Sequence, residues 1–196
     1  MKKALLIALA LTLVLTAAAF AGNNPNLKVA IHVRAHNAKL GCNYGTITGC
    51  ADIVTTEPGY SVDAFPVFYD LNEYLGCEYA ICWPAWTYSA AWNNCADLVI
   101  GSITESGQGA SHTWLGCQPG PVAVPSFLWL YADYAGNICP CPHPISGLCS
   151  VLDCAEGIDD PVGIFCAGVY GAAGDDPCAA TGTQPSTWSE IKGMFE

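Results

Sequence analysis

Basic residues are scarce in this chain: Lys and Arg together number six in 196 residues, and two of these are Lys2 and Lys3. Charged residues of both signs make up 12% while hydrophobic ones reach 52%, which excludes a disordered acidic chain and requires a packed domain. Seventeen acids bring the net charge to −11, a sign that repels phosphate backbones and excludes nucleic acid as the main partner. Other signals are missing too. The sequence has no G-x-S-x-G elbow, no D-x-D-x-D-G calcium loop, no zinc-ribbon or zinc-finger spacing and no repeat of fixed period. No cofactor is implied.

What is present starts at the first residue. Lys2 and Lys3 precede an uncharged run from Ala4 to Phe20, which closes on Ala19-Phe20-Ala21 before Gly22. A positive start, an apolar stretch and a small-x-small site predict a secretory signal peptide over residues 1–21, with Gly22 as the first mature residue. No second apolar run approaches spanning length, so no membrane insertion is expected after cleavage. Cleavage leaves Lys28, Arg34, Lys39 and Lys192 against seventeen acids, a net charge of about −13. The export reading implies a secreted, periplasmic or cell-surface location.

All twelve cysteines lie beyond the leader, at positions 42, 50, 77, 82, 95, 117, 139, 141, 149, 154, 166 and 178. In an oxidising compartment an even number predicts disulfides, and the expectation is that Cys42, Cys50, Cys77, Cys82, Cys95, Cys117, Cys139, Cys141, Cys149, Cys154, Cys166 and Cys178 are all bridged. Connectivity is open. Cys42 and Cys50, with Gly45 and Gly49 between them, are spaced for a small local loop. Cys77 and Cys82 lie in Cys77-Glu-Tyr-Ala-Ile-Cys82-Trp83, where alternation sends Cys77, Tyr79, Ile81 and Trp83 to the core. Five extended steps hold those two sulfurs about 16 Å apart, so in a strand each needs a partner elsewhere.

Strand patterns recur. Lys28 to His36 alternates with Val29, Ile31, Val33 and Ala35 inward and His32, Arg34 and His36 outward, which predicts a half-buried strand with solvated histidines. Val62 to Tyr69 is rich in strand formers, and Pro66 points to an edge or a bulge. Asp70 to Gly76 reads as a connection, and Trp86 to Asn94 as a short helix or a loop packed on the sheet. Ala96 to Thr104 is a continuous apolar run, the pattern of a central strand buried on both faces. Ser111 to Cys117 is a further strand. From Val122 to Asp133, Phe127, Trp129 and Tyr131 share one face and Leu128 and Leu130 the other. The prolines of Asn137 to Gly147 limit pairing to one edge, with Leu148 to Cys154 as a hairpin partner.

About eight short strands separated by Gly/Pro turns predict an all-β fold: a disulfide-rich β-sandwich, immunoglobulin-like or jelly-roll, over residues 22–178. A linker at 179–185 leads to a short C-terminal helix over 186–196, where Thr187 and Glu190 form a capping box and Trp188, Ile191 and Phe195 share a face.

Candidate chemistry is sparse. Cys139-Pro-Cys-Pro-His143 has zinc-type ligands, but export favours disulfides there. Asp159, Asp160, Asp175 and Asp176 are weak calcium candidates among the acids from Asp153 to Asp176, and a solvated acidic surface is the simpler reading. Ser111 and His112 are strand neighbours pointing to opposite faces and form no dyad, and no catalytic residue is assigned. Trp83, Phe127 and Trp129 are expected in the core. Trp86, Trp92 and Trp114 lie outside the clearest strands and are the candidate binding residues.

The ending Ser186-Thr-Trp-Ser-Glu-Ile-Lys-Gly-Met-Phe195 resembles the T-W-G-x-I-K-x-L-[FY]-R tail of uncharacterised secreted cysteine-rich proteins of uncultured bacteria. Phe65 to Leu71, Leu98 to Gly101 and Gly174 to Cys178 look like stretches of that same exported set. The resemblance implies export and a bacterial source; the tail itself reads either as a docking or sorting element or as a helix packing Trp188 and Phe195 onto the sandwich. Together these features predict a secreted, non-catalytic surface or structural/interaction module; the sequence identifies no ligand, and a cell-surface component or a glycan is the candidate partner. The alternatives are a carbohydrate-binding module using exposed Trp and Tyr, and a secreted hydrolase.

Overall fold

The computed structural model describes residues 22–179. The expected leader, the terminal helix and all but the first residue of the expected linker lie outside the described residues.

The chain folds as two facing sheets, with strands labelled in chain order. Sheet one runs β13 (Gly163–Phe165), β1 (Lys28–Ala35), β3 (Ser61–Tyr69), β9 (Ser126–Ala132) and β5 (Thr87–Asn94), with β8 (Val122–Ala123) at the far end of β3. Sheet two is built on β4 (Glu73–Cys82). Along one edge of β4 lies β7 (Gly109–Pro119), followed by β6 (Leu98–Gly101). Along the other edge lie β11 (Ser150–Leu152), backed by β12 (Ile158–Asp159), and β10 (Gly136–Cys141), which leads to β14 (Ala167–Val169) and β2 (Thr56–Glu57). The sandwich expectation holds.

Between the sheets sits one core. Val29, Ile31 and Val33 of β1, Val62, Ala64 and Phe68 of β3 and Leu128 and Leu130 of β9 meet Tyr79 and Ile81 of β4. Trp83 joins them as predicted. The outer face of sheet one is also buried. Ala30, Phe65, Val67, Tyr69 and Phe127 form a second cluster with Ile47 and Ile53 of the connection after β1. The first strand is therefore buried on both faces over its middle, contrary to the half-buried expectation. His32 is 7% exposed instead of solvated, because that connection lies over it.

Several local expectations are corrected by pairing. β3 is central, not an edge: it pairs with β1 along its length, while β9 reaches only Ala64 and β8 starts at Phe68. Pro66 lies in that gap, where the ladder needs no donor on its second side. Residues 73–76 belong to β4, after a tight turn in which Asp70 has φ 59°. Trp86 to Asn94 is mostly strand, β5, held against β9. The apolar run at Leu98 is an edge strand, since β6 pairs only with β7; Val99 turns inward while Leu98 and Ile100 face solvent. β11 pairs with β4 and β12 and not with β10, so no hairpin joins β10 to β11. β10 itself pairs in two halves, Gly136 to Ile138 with β14 and Cys139 to Cys141 with β4.

Five disulfides close the structure: Cys42–Cys95, Cys50–Cys178, Cys82–Cys141, Cys117–Cys154 and Cys139–Cys166. The local Cys42–Cys50 loop is not formed; each of those sulfurs bonds a distant segment. Cys77 and Cys149 are free and buried, a correction to the expectation of full pairing. Register places Val151, not a sulfur, opposite Cys77, and both thiols serve the core as small apolar groups. Burial pushes the Cys149 thiol up to about 12 and that of Cys77 well above its usual value, so neither is a thiolate at neutral pH.

Two outcomes follow. Intact-mass analysis should show the loss of about ten hydrogens, one pair per bridge, and a thiol reagent should find no reactive group in the native protein and two after denaturation. Replacing Cys50 and Cys178 together by Ser opens a link across 128 residues and should lower unfolding free energy by about 4 kcal/mol in urea titrations.

Candidate interaction surfaces

The outer face of sheet two is laid out in register across five strands. One row reads Ile158, Leu152, Gly76, Thr113 and Leu98, and the next reads Ser150, Glu78, Ser111 and Ile100. Three of its apolar members are open, Leu98 at 57% exposed, Ile100 at 79% and Ile158 at 52%, while Leu152 is half-buried. Leu115, further along β7, is exposed as well. Gly76 makes a dip in the middle of this face. The register shifts between Tyr74 and Gly76, and the β7 backbone comes so close that a Cβ on Gly76 would stand 2.8 Å from the His112 carbonyl oxygen. The resulting hollow, of about 190 Å³, is lined by Gly76, Glu78, Ser111, Thr113, Leu152 and Ile158. Glu78 gives it one anionic group, held by His143 Nδ1 at 3.3 Å and by the Ser146 hydroxyl.

A second surface lies on sheet one, where the covering connection ends. Tyr60 and Tyr131 are near-parallel with centroids 6.3 Å apart, and Trp129 is 5.2 Å from Tyr131. His36 stacks on Trp129 at 3.9 Å and 4°. Tyr88, 55% exposed, stands directly across the ladder from Tyr131. Polar contacts brace the strip from beneath: Trp129 Nε1 donates to Ser61 Oγ at 3.0 Å, and His36 Nδ1 lies 2.6 Å from buried Asp63, which also accepts from Arg34 Nε at 3.1 Å. The sequence hides this strip because the pattern of Trp86 to Asn94 suggests a helix or loop where the chain forms β5. Reading Trp86 to Asn94 as a strand would have placed Tyr88 beside the alternating Trp129 and Tyr131.

The three tryptophans expected to bind sit in different surroundings. Trp86 is exposed and meets Tyr134 edge-on at 6.3 Å. Trp92 and Trp114 are half-buried and pack on the main core, Trp92 beside His112 and Trp114 against Tyr74. Phe127 is buried as predicted, whereas Trp129 is only half-buried. Of the calcium candidates, Asp159 accepts from the Asn24 backbone and side chain, Asp175 from the Cys166 N–H and Asp176 from the Cys178 N–H, while Asp160 is exposed. Among the described residues the one grouping of three possible metal ligands is Glu73 with Cys117 and Cys154, whose two sulfurs are bonded to each other. Cys139 and Cys141 are likewise spent in disulfides.

No family model matches the sequence, and no curated protein does. Among solved structures the chain is similar to a cohesin module from the family 33 glycoside hydrolase of Clostridium perfringens ATCC13124, at 12% identity and a TM-score of 0.48, covering 74% of this chain and 96% of that one. It is also similar to a type II cohesin domain from the cellulosome of Acetivibrio cellulolyticus, at 11% identity and a TM-score of 0.46 over the same shares.

Hydroxyl and imidazole groups do meet in this protein, but inside it. Tyr79 OH lies 2.7 Å from Ser126 Oγ and 3.1 Å from His112 Nε2, and His112 Nδ1 is 2.8 Å from Asn94 Oδ1. A neutral ring that donates to Asn94 and accepts from Tyr79 satisfies this chain. Ser126 and His112 are sealed from solvent, so the group works as a polar brace between the sheets and cannot meet a substrate. Burial holds His112 down at about 4, and burial with the Arg34 charge does the same to His32, whose Nδ1 accepts the Val54 N–H at 3.0 Å.

Both rings are thus neutral when folded but protonate near 6.5 when unfolded. Their contribution is fully present above pH 6.5 and is lost as pH falls from 6.5 towards 4. Urea midpoints measured across that window should fall steadily, and proton NMR should show two histidines still neutral at pH 5.5.

Proposed function

We propose that the protein is an exported, non-catalytic interaction module that binds a protein partner through the outer face of sheet two. One observation carries this reading: the outer face of sheet two leaves Ile158 uncovered at the rim of the Gly76 hollow and Leu98 and Ile100 uncovered on its β6 edge, with Leu115 exposed further along β7. Scattered exposed apolar groups need no explanation, but a set arranged in cross-strand rows is a surface that another surface can cover. Burying each such side chain contributes roughly 1.5–3 kcal/mol, enough in sum to support a specific contact. With Glu78 in the hollow and an excess of acids over the whole chain, the partner that fits has an apolar centre and a basic margin. Five disulfides fit an oxidising location, and among the described residues no helix is long and apolar enough to cross a membrane.

The aromatic strip supports a second reading, a glycan partner. Tyr60 and Tyr88 are exposed beside the half-buried Tyr131 and Trp129, a cluster of aromatic rings with polar tips that could take a sugar ring.

The two readings separate by substitution. A photo-crosslinking residue at position 115 should capture a protein partner from the cell surface of the producing organism. Ile100→Glu with Leu98→Glu should weaken binding of that purified partner at least tenfold while leaving the circular dichroism unchanged. A partner whose affinity ignores both changes rejects the sheet-two face. Glycan-array binding abolished by Tyr88→Ala or Tyr131→Ala would move the function to the strip.

A further inference from the structure

Asp153 and Asp159 flank the first described residues of the chain. Asp153 is 1% exposed and Asp159 7%, yet among the described residues neither makes an ion pair with Lys, Arg or His. Asp153 Oδ1 accepts from the N–H groups of Ala155 and Gly157 at 2.8 and 2.6 Å, and its Oδ2 from Asn23 N at 2.8 Å. Asp159 Oδ2 accepts from Asn24 N at 3.1 Å and Asn24 Nδ2 at 2.7 Å. Asp159 Oδ1 receives no hydrogen bond from a described residue, and it faces Gly22 so closely that a Cβ there would overlap the carboxylate. Gly157 closes the other side, since a Cβ on it would come 2.8 Å from the Gly22 Cα and 2.9 Å from Asp153 Oδ2. Asn24 fixes the segment further: its Oδ1 accepts from Asn72 N at 2.7 Å and its Nδ2 donates to the Glu73 carbonyl at 3.0 Å.

Among the described residues no cation meets these two carboxylates, and a charge withdrawn from water is costly unless paired. We propose that the missing cation is the α-ammonium of Gly22, created when the leader is removed, and that Asp159 and Asp153 form its binding cradle. The inference rests on the export reading. Hydrolysis of the Ala21–Gly22 peptide bond by a leader peptidase consumes one water and gives the Ala21 carboxylate and the Gly22 amine, which takes up a proton at neutral pH. The nitrogen lies one bond from a Cα already set against Asp159. Before cleavage the same nitrogen is a neutral amide, so the ion pair exists only in the mature chain. Glycine is required at this position because any side chain would displace the carboxylate, which ties the cleavage point to the fold. Among the described residues, the charged groups that meet Gly22, Asn23 or Asn24 are acids: Asp159, Asp153 and Glu73, whose Oε1 accepts from Asn23 Nδ2 at 3.1 Å, with Asp160 near enough to Asp159 to act on its charge.

The test uses the chain beginning at Gly22, labelled with ¹⁵N-glycine, and the same chain acetylated on Gly22. An ordinary α-amine titrates at about 7.7–8.0; in the cradle it should titrate at least about one unit higher. The raised value makes the added stability present below about pH 8 and lost as pH rises through the folded value, so acetylation should lower the melting temperature at pH 7 and have no effect at pH 10 or above. In Asp159→Asn the amine should return to the ordinary range and acetylation should cost little. If that variant does not fold, the titration of the unsubstituted chain decides. An amine at 7.7–8.0 in the folded protein, or acetylation without effect at pH 7, overturns the proposal. N-terminal sequencing of the exported protein tests the cleavage separately: another first residue rejects the export reading used here, whereas Gly22 with an unshifted amine rejects only the cradle.

Discussion

Phe65, Val67 and Tyr69 point away from the space between the sheets, so this fold must cover two apolar layers and not one. A second sheet covers the inner layer. The outer layer is covered by irregular chain, in which Ile47 and Ile53 supply apolar contact and a single 3-10 turn at Cys50–Asp52 supplies regular structure. Ordering such a segment costs roughly 1–2 kcal/mol per residue in backbone entropy, with no long ladder to offset it. Disulfides supply the remedy by limiting the unfolded chain: Cys42 is fixed to Cys95 after β5 and Cys50 to Cys178. Arg34 adds a polar tie, stacking 4.7 Å over Phe65 and donating to the carbonyls of Gly41 and Asn43. The Tyr69 hydroxyl donates to the Pro177 carbonyl at 2.7 Å and fastens the other side of the cover.

The open surfaces follow from where that covering stops. On sheet one it reaches Phe127 but not Tyr131 or Tyr88, leaving aromatic rings at its margin. On sheet two nothing described lies over Leu98, Ile100 and Ile158. The chemistry inside is as closed as the outer faces are open, with hydroxyl, imidazole and amide groups engaged in the Ser126, Tyr79, His112 and Asn94 chain. Of these, Ser126, Tyr79 and His112 are sealed from solvent and brace the two sheets against each other.

The sandwich was legible in the sequence wherever alternation was clean. Val29, Ile31, Val33, Tyr79, Ile81, Leu128 and Leu130 all occupy the core their period assigns. It misled where burial came from something other than the opposite sheet. Lys28 to His36 looks half-polar because His32 and Arg34 interrupt the pattern, yet both are used by the covering segment. At Leu98 to Gly101 the opposite error arises: continuous apolarity normally marks a central strand, but here it marks an exposed edge. Pro66 was a sound warning about a missing donor, and the gap between β8 and β9 met that need without making β3 an edge. Sulfur pairing was beyond reading because strand register decides it. Cys82 lies directly across from Cys139 but bonds Cys141, two residues on, while Cys139 turns to Cys166. The candidate surfaces were hidden for the same reason, since Gly76 and Tyr88 acquire meaning only from neighbours on other strands.

The link from Cys50 to Cys178 has a mechanical consequence. Tension applied to the chain beyond residue 178 passes through sulfur to residue 50 and bypasses the covalent loop that contains β2 to β14. From residue 50 the load divides at Cys42, part passing through the Cys42–Cys95 bridge to the end of β5 and part to β1, which is clamped by an eight-residue antiparallel ladder to β3 and by a parallel one to β13. Pulled along their length, such ladders are loaded in shear, with their hydrogen bonds resisting together instead of unzipping in turn. A protein tethered at one end and gripped on a sheet face would hold its shape under drag.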